Sequence, residues 1–268
     1  MKNFLNIICF VLAAALLGGC AKNSANNFQG YIEGEYVYVA SPLGGALDKL
    51  AVARGNTVKK GQLLFELERQ SEAAALTVAE KNLAQANASL TLSTATFQRR
   101  KELRNSPSGV ISAQDMDQAQ AQLDTDTAQV ASQQATLDKA KWAFDQKQQF
   151  APADAIVHDT LYRQGEFVAT GNPVAVLLPP ENLKVRFFVP QEMLPQIKVG
   201  QTVSISCDGA PHAISATINY ISTQAEYTPP VIYSRETRAN LVFMIEAKIS
   251  PADATDVRPG QPADVRLN

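Results

Sequence analysis

Residue types that commonly carry chemistry are sparse in this chain of 268 residues. The chain has two histidines, His158 and His212, and neither lies near a cysteine or a pair of carboxylates in the sequence. A Gly-rich phosphate loop, a nucleophile elbow and a metal-ligand spacing are all missing from the sequence. We therefore predict a structural or surface role for both histidines, no catalytic residue, no cofactor and no metal site. The sequence favours a protein that is not an enzyme.

The cysteine with the most informative surroundings is Cys20. After Lys2, residues 4–17 are apolar apart from Asn6, and Leu17-Gly18-Gly19-Cys20 follows. This resembles a bacterial lipobox, at which a signal peptide (1–19) is removed and the exposed cysteine is acylated. Several acyl chains on one cysteine make a stable membrane anchor. The alternative is an ordinary signal peptide with a chance cysteine. Residues 20–35, polar at their start, are predicted to be a tether to the folded body.

The remaining cysteines carry little information about function. Cys9 leaves with the signal peptide, so Cys207 is the single cysteine of the mature body, which excludes an internal disulfide and a thiolate metal cluster. Apolar residues alternate over 203–207, and this predicts that Cys207 is a small buried strand residue. The 24 basic and 26 acidic residues nearly balance, so the composition does not favour nucleic-acid binding.

An internal repeat organises the first two thirds of the chain. Pro42, Gly55, Val58 and Gly61 recur as Pro152, Gly165, Val168 and Gly171 at one constant offset, 152 − 42 = 110. Each copy alternates apolar residues and breaks at glycine, which is typical of short strands joined by turns that need positive φ. One copy is too short to bury a core. We expect the copies, over 36–68 and 150–182, to pair into one flattened β barrel.

A segment of roughly eighty residues, over 69–149, separates the two copies and is rich in Ala and Gln. Large apolar residues recur every seven positions, with small residues three positions after those of the first run: Leu76, Leu83, Leu90 and Phe97; Ala79, Ala86 and Ser93; Met116, Leu123, Val130, Leu137 and Phe144. Two such arrays around one turn predict an antiparallel helical hairpin with a narrow coiled-coil seam, about 50 Å long. The alternative is a hairpin folded back onto a globular body, which would need a wider apolar face.

From residue 183 to 268 the pattern changes to short strands. Apolar residues alternate over 185–189, 203–207, 214–221, 241–249 and 265–267, and glycines separate several of these runs. This spacing predicts a small antiparallel β-barrel. The expected fold class is therefore multi-domain α+β.

The repeat resembles the half-motif of biotinyl/lipoyl domains, whose halves meet at a hairpin that bears a lysine for modification. A lipoyl-like domain split by a helical hairpin and followed by a β-barrel is similar to the HlyD-type periplasmic adaptors, also called membrane-fusion proteins. The resemblance implies a bridging subunit of a tripartite export system. It would link an inner-membrane transporter to a TolC-like outer-membrane channel, associate with its own copies, usually as a hexamer, and carry out no chemistry.

Three residues near the predicted end of the hairpin match the positions at which this family contacts the channel. They are Arg99, Leu103 and Ser112, in the segments 97–103 and 111–115. Each also has a local explanation: positive charge favours a helix C-terminus, Ser112 with Asp115 forms an N-terminal cap, and Leu103 could close the seam. Their joint occurrence in the family's order favours the channel contact.

The segment 222–230, with Arg238 and Leu241-Val242-Phe243, resembles the subgroup that serves ATP-binding-cassette (ABC) exporters. A proton-driven pump is the alternative, and a rigid surface loop explains Thr228-Pro229-Pro230 equally well. Two other functions stay open, a biotinyl/lipoyl carrier and a structural envelope lipoprotein. The resemblance implies a periplasmic protein anchored at the inner membrane, whereas Ala21 after the lipidated cysteine favours the outer membrane.

Overall fold

A computed structural model describes residues 27–107, 109, 111–209, 212–227 and 241–267. The chain divides into two compact units, one of Tyr36–Pro179 and one made of the residues that precede and follow it. The predicted signal peptide and Cys20 lie outside the described residues. The strands, in chain order, are β1 Asn27–Gly34, β2 Val37–Ala40, β3 Gly45–Leu50, β4 Thr57–Val58, β5 Leu63–Leu67, β6 Gln148–Phe150, β7 Ala155–Thr160, β8 Phe167–Val168, β9 Pro173–Leu178, β10 Leu183–Pro190, β11 Thr202–Cys207, β12 Ile214–Tyr227, β13 Leu241–Ile249 and β14 Pro262–Leu267.

The first unit contains two four-stranded sheets, ordered β2-β9-β7-β4 and β6-β5-β3-β8. Each sheet mixes strands from both copies of the repeat, so neither copy forms a sheet alone. Their inward side chains share one core, in which Leu47 and its repeat mate Val157 are buried, as are Val58 and its mate Val168. The two copies therefore fold as one module, as the sequence predicted.

Backbone hydrogen bonds in this module follow the repeat. The N–H of Gly55 donates to the carbonyl of Val157 at 2.8 Å, and the N–H of Gly165 donates to the carbonyl of Leu47 at 2.8 Å. The two bonds are equivalent when the copies are exchanged, because Gly55 corresponds to Gly165 and Leu47 to Val157, each at an offset of 110 residues. Four turn glycines at repeat-related positions adopt positive φ, a region that costs other residues strain: Gly55, Gly61, Gly165 and Gly171. The predicted turns are confirmed.

Two long antiparallel helices lie between the copies. Helix α1 is Gln70–Asn105 and helix α2 is Ala113–Asp145. Their seam buries small residues almost completely, while the large residues of the heptad array, apart from the buried Met116, are partly buried beside them. The buried seam residues are Ala79, Ala86 and Ser93 on α1 and Met116 and Ala119 on α2. This narrow contact confirms the predicted coiled-coil hairpin. Among the described residues, no helix is long and apolar enough to cross a membrane.

The hairpin leaves and re-enters the module at neighbouring strands. β5 and β6 pair antiparallel, with Glu66 opposite Gln148, and the N–H of Leu67 donates to the carbonyl of Lys147 at 2.8 Å. The predicted hairpin segment 69–149 is therefore slightly too long, because its last two residues already belong to β6. The two ends of the insertion lie as close together as the ends of a tight β-turn.

Replacing residues 69–147 with an Asn-Gly turn should leave the module folded, because the turn joins two strands that are already paired. Circular dichroism should lose most of its helical signal, and thermal unfolding should stay cooperative at a lower Tm. The full chain in the same buffer is the control. A shortened protein without a cooperative transition would show that the two copies need the hairpin to pair.

The second unit is a closed six-stranded barrel with the order β1-β10-β13-β12-β11-β14, in which every pairing is antiparallel. Closure leaves no unpaired edge along the ring of strands. Every second residue of each strand points into the barrel, and these side chains fill its interior. The fully buried ones include Ile32, Val185, Phe187, Ile205 and Ile245. The predicted barrel over 183–268 is present in the described residues, and it has one additional strand from the start of the chain.

That additional strand corrects the predicted tether over 20–35. Residues 27–34 form β1, which pairs with both β10 and β14 and closes the barrel. Phe28 and Ile32 point into the core, and Gly30 lies between them. A Cβ at Gly30 would lie 2.4 Å from the carbonyl oxygen of Arg186, so glycine is required by the close approach of β10. The sequence analysis missed this strand because polar residues lie between and around its few inward-pointing apolar residues.

Candidate functional site

The tip of the hairpin is the place at which the sequence puts its candidate contact residues. α1 ends at Asn105 and α2 begins at Ala113, after helices of 36 and 33 residues. At 1.5 Å per residue the tip therefore lies about 50 Å from the base of the hairpin. A two-helix arm of this length holds its end residues away from the core of its own unit.

Ser112 begins the second helix as its N-cap. Its hydroxyl oxygen accepts from the N–H of Asp115 at 3.1 Å, and its O–H donates to the Asp115 carboxylate at 2.7 Å. The hydrogen bond from the Ser112 side chain is the main reason that the pKa of Asp115 lies below its ordinary value. The ionised carboxylate therefore stabilises the cap above the ordinary pKa of aspartate, and this contribution is lost as pH falls through the lowered pKa.

Replacing Ser112 with alanine should destabilise the start of α2 by about 1 kcal/mol, the usual cost of losing such a cap. Amide hydrogen exchange should quicken over 113–116 and stay unchanged in the middle of the arm. Ser112→Asp keeps an acceptor at the cap and is the matched control. Unchanged exchange in Ser112→Ala would mean that the helix start does not depend on this hydroxyl.

Two neighbouring arginines have different surroundings. Nη1 of Arg100 donates to the carbonyl oxygen of Asp115 at 2.7 Å, so Arg100 ties the end of α1 to the start of α2. Arg99 is exposed and makes no hydrogen bond or ion pair with the described residues. Leu103 is 49% exposed and does not close the seam. The tip therefore presents a free guanidinium and an apolar side chain, four residues apart on one side of α1.

Sequence reasoning missed the residue that fastens the base of the arm. Lys147 is 4% exposed, and its ammonium donates to the carbonyl oxygen of Gly44 at 2.9 Å and pairs with the Glu72 carboxylate at 3.0 Å. Nearby, the hydroxyl of Ser41 donates to the carbonyl oxygen of Gln146 at 2.8 Å. These contacts join α1, α2 and a β-loop of the module. A lysine that follows a heptad array gives no sequence signal of such burial.

The base has a second fastening on α1. The guanidinium of Arg69 pairs with the Glu66 carboxylate at 2.7 Å and lies 4.6 Å from the centre of the Phe144 ring. Arg69 therefore connects the last residues of β5 to the end of α2. Together with Lys147, it holds both helices at the point where they leave the module.

The barrel carries an ion-pair network on its outer face, which the sequence analysis also missed. Lys184 pairs with Glu35 at 2.6 Å and Glu246 at 2.8 Å, and Arg186 pairs with Glu33 and Glu246, both at 2.8 Å. Burial disfavours the charge on Lys184, but hydrogen bonds to Glu246 and Glu35 outweigh it and raise its pKa. Burial alone would raise the pKa of Glu246, but hydrogen bonds from Lys184 and Arg186 outweigh it and lower this pKa. Each charge is matched across neighbouring strands, which indicates a structural role.

The remaining polar candidates do not form a reactive centre. His158 is exposed and packs against Tyr36 with tilted rings whose centres are 4.3 Å apart, while His212 lies 3.5 Å from Asp253. The described residues contain no group of histidines, cysteines and carboxylates able to hold a metal ion. Cys207 is buried in β11, as predicted. Thr228-Pro229-Pro230 and Arg238, which suggested the ABC subgroup, lie outside the described residues.

Known proteins share both the sequence of the arm and the fold. Residues 75–147 match the family model described as "RND MFP, alpha-helical hairpin domain". A UPF0194 membrane protein of Acidithiobacillus ferridurans is 28% identical, over 81% of this chain and 79% of the relative. Another UPF0194 membrane protein, from Enterobacter sp. (strain 638), is 26% identical over 96% of this chain and 95% of its own.

The fold is similar to that of a solved membrane-fusion protein. The membrane fusion protein Spr0693 from Streptococcus pneumoniae R6 aligns with a TM-score of 0.66 at 20% identity, over 90% of this chain and 98% of its own. The alignment covers most of the chain, so the likeness in fold extends beyond the helical hairpin to the β-strands. The chain is therefore similar to membrane-fusion proteins in the sequence of its hairpin and in its fold.

Proposed function

We propose that this chain is the periplasmic adaptor of a tripartite export system, linking an inner-membrane transporter of the ABC type to a TolC-like outer-membrane channel. One observation carries the proposal. The arm ends near Arg99 and Leu103, whose side chains are exposed and make no hydrogen bond or ion pair with the described residues, about 50 Å from its base. Side chains that are exposed and make no hydrogen bond or ion pair with the described residues are available to a partner.

Arg99 and Leu103 have the chemistry of a directional contact. A guanidinium presents paired N–H groups that fit carbonyls or carboxylates on a partner, and a half-exposed leucine gains by burial at an interface. Ser112 supports the contact differently, because its hydroxyl is engaged as the cap of α2. We propose that Ser112 shapes the tip, while Arg99 and Leu103 touch the channel.

The transporter type rests on less support. The ABC proposal comes from the resemblance of residues 222–230, Arg238 and 241–243. A second candidate, a proton-driven partner, is favoured by the name of the matching hairpin model, which refers to RND membrane-fusion proteins. The described core is compatible with both.

Other functions fit the arm less well. A biotinyl or lipoyl carrier needs a modifiable lysine at the turn between its halves, and here two helices occupy the place where β5 and β6 meet. A structural envelope lipoprotein would use the lipid anchor and the coiled coil, but it would need no free arginine and leucine at the tip.

In-cell photo-cross-linking tests the proposal. A photoreactive amino acid at position 103 should capture the outer-membrane channel, and the same group at the exposed Glu80, near the base of the arm, is the matched control. Mass spectrometry of the purified complex should also recover the transporter, whose sequence separates an ATPase from a proton-driven pump. Equal capture from positions 103 and 80 would contradict a tip contact.

We also propose that Cys20 anchors the protein in the periplasm, with the inner membrane as the expected site, and that copies assemble, as a hexamer in the family's usual form. Cys20→Ala should abolish palmitate labelling and leave an uncleaved or soluble product, because the acceptor sulfur is lost. Metabolic labelling and membrane fractionation measure both effects. Cys207→Ala, which removes a buried thiol, is the control, and labelled lipid on the Cys20→Ala protein would contradict the proposal.

A further inference from the structure

The two ends of the closed barrel have different connections. Every strand is antiparallel to its neighbours, so starts and ends of strands alternate around each end. Both passages to the other unit lie at one end, after Gly34 and before Leu183. The opposite end, called here the N-terminal end of the barrel, holds the start of β1 and five further strand termini: Asn27, Pro190, Thr202, Tyr227, Leu241 and Leu267.

The proposed lipid anchor joins the chain at this N-terminal end. Residues 21–26 are all that separates Cys20 from Asn27, the first residue of β1. Seven residue steps span at most about 25 Å, even in a fully extended chain. Six residues are also too few to form a folded body of their own. With lipid on Cys20, the N-terminal end of the barrel is therefore held close to the leaflet that contains the acyl chains.

A rigid turn at the N-terminal end of the barrel exposes an apolar side chain. Just before β11, the N–H of Gln201 donates to the carbonyl of Lys198 at 3.1 Å, which closes the turn 198–201. Gly200 has positive φ, and its N–H donates to the carbonyl of Ile218 on β12 at 2.8 Å, so the turn is fastened to the barrel. Val199 is 63% exposed in this turn. Two partly exposed apolar residues precede it in the same connection, Met193 and Leu194.

Basic side chains lie beside the turn and beside the start of β1. Lys198 is the neighbour of Val199, and Arg266 lies opposite Asn27, where the chain from the anchor enters the barrel. Both are exposed, and neither side chain makes a hydrogen bond or ion pair with the described residues. Two exposed acidic residues share this end of the barrel, Glu192 and Glu226. The free positive charge is therefore local to the turn and to the start of β1.

We propose that the N-terminal end of the barrel rests on the phospholipid leaflet that holds Cys20, with Val199 in the headgroup layer and Lys198 and Arg266 on lipid phosphates. The inference rests on the anchor of the proposed function and deepens it, because the anchor then orients the barrel. Apolar side chains flanked by basic ones favour the membrane interface, and an anionic leaflet attracts lysine and arginine. The short tether keeps this surface at a high effective concentration beside the leaflet, so a small contact area suffices.

Fluorescence quenching by lipid tests the contact in the lipidated full-length chain, added to vesicles of phosphatidylethanolamine and phosphatidylglycerol. In a Cys207→Ala background, a fluorophore is attached at Gln196→Cys, an exposed position near Val199 that leaves the proposed contacts in place. The matched control is Ala252→Cys, an exposed position in the connection between β13 and β14 at the opposite end of the barrel. Brominated lipid should quench the fluorophore at position 196 and leave the one at position 252 unquenched.

Charge variants labelled at position 196 form the second part of the test. Lys198→Glu with Arg266→Glu should reduce the quenching by about fivefold at low salt, because each basic residue near an anionic surface favours binding by roughly that factor. Val199→Asp should reduce it as well. Lys248→Glu, which reverses an exposed lysine near the other end of β13, should leave it unchanged. Quenching that survives both the double reversal and Val199→Asp would overturn the proposal.

Flotation of the vesicles separates this inference from the anchor on which it rests. Every variant should float with the vesicles, because the acyl chains on Cys20 hold it there. A wild-type chain that does not float would refute the anchor, and the inference with it. A chain that floats but is quenched equally, or not at all, at positions 196 and 252 would refute only the inference, and would leave this end of the barrel to a protein partner.

Discussion

Aspartate in place of Leu103 or Arg99 should abolish export while the protein folds normally. Both residues lie about 50 Å from the module that holds the arm, and neither side chain makes a hydrogen bond or ion pair with the described residues. Reversing an exposed charge at a helix C-terminus should cost about 0.3–1 kcal/mol locally. At a symmetric ring of contacts, the same change is repeated in every copy, so its effect on docking is multiplied.

The measurement is an efflux assay beside cross-linking from the tip to the channel, with circular dichroism and Tm as folding controls. Leu103→Met keeps an apolar side chain and should retain export, and Lys81→Asp reverses an exposed charge in the lower half of the arm. Normal export by both aspartate variants, with unchanged cross-links, would place the channel contact elsewhere.

Lys147→Met should lower the stability of the hairpin-bearing unit by about 3 kcal/mol, the lower end of the cost of breaking a buried ion pair. The change leaves the Glu72 carboxylate and the Gly44 carbonyl without the ammonium that satisfies both. For a unit of this size, the Tm should fall by about 8 °C. A shorter side chain at position 147 would add a cavity, so methionine is the more selective replacement.

Thermal unfolding of the purified chain measures this effect, and Lys139→Met, which replaces an exposed lysine on α2, is the matched control with little expected change. The double variant Lys147→Met with Glu72→Gln should recover part of the loss, because it removes the uncompensated charge. A Tm equal to wild type in Lys147→Met would show that the base of the arm is held by Arg69 and the seam alone.

The elements predicted best are those that follow from local periodicity. Gly55 and Gly165 are predictable because a turn with positive φ nearly requires glycine, and their offset of 110 residues shows that the turns are equivalent. Ala79 and Ala86 are predictable because a close seam between helices favours small side chains at fixed heptad positions. In both cases the residue type is dictated by the backbone close to it.

The elements that were missed depend on contacts distant in sequence. β1 was taken as part of the tether because its composition is polar, and only the approach of Arg186 explains why residue 30 is glycine. Lys147 is buried by Gly44 and Glu72, which are 103 and 75 residues away in the sequence. Arg99 and Arg100 are the same residue type, and only the fold of the tip shows that Arg100 is the one that bonds to α2.

Because β5 and β6 are adjacent, the length of the helical arm can change without a change in the β module. Both ends of the insertion are fixed by one antiparallel strand pair, so a longer or shorter arm leaves that pair unchanged. Adding seven residues to each helix would advance the tip by about 10 Å and return every seam residue to its place. Evolution can therefore match the arm to envelopes of different depth in whole-heptad steps, with no compensating change in either the β module or the barrel.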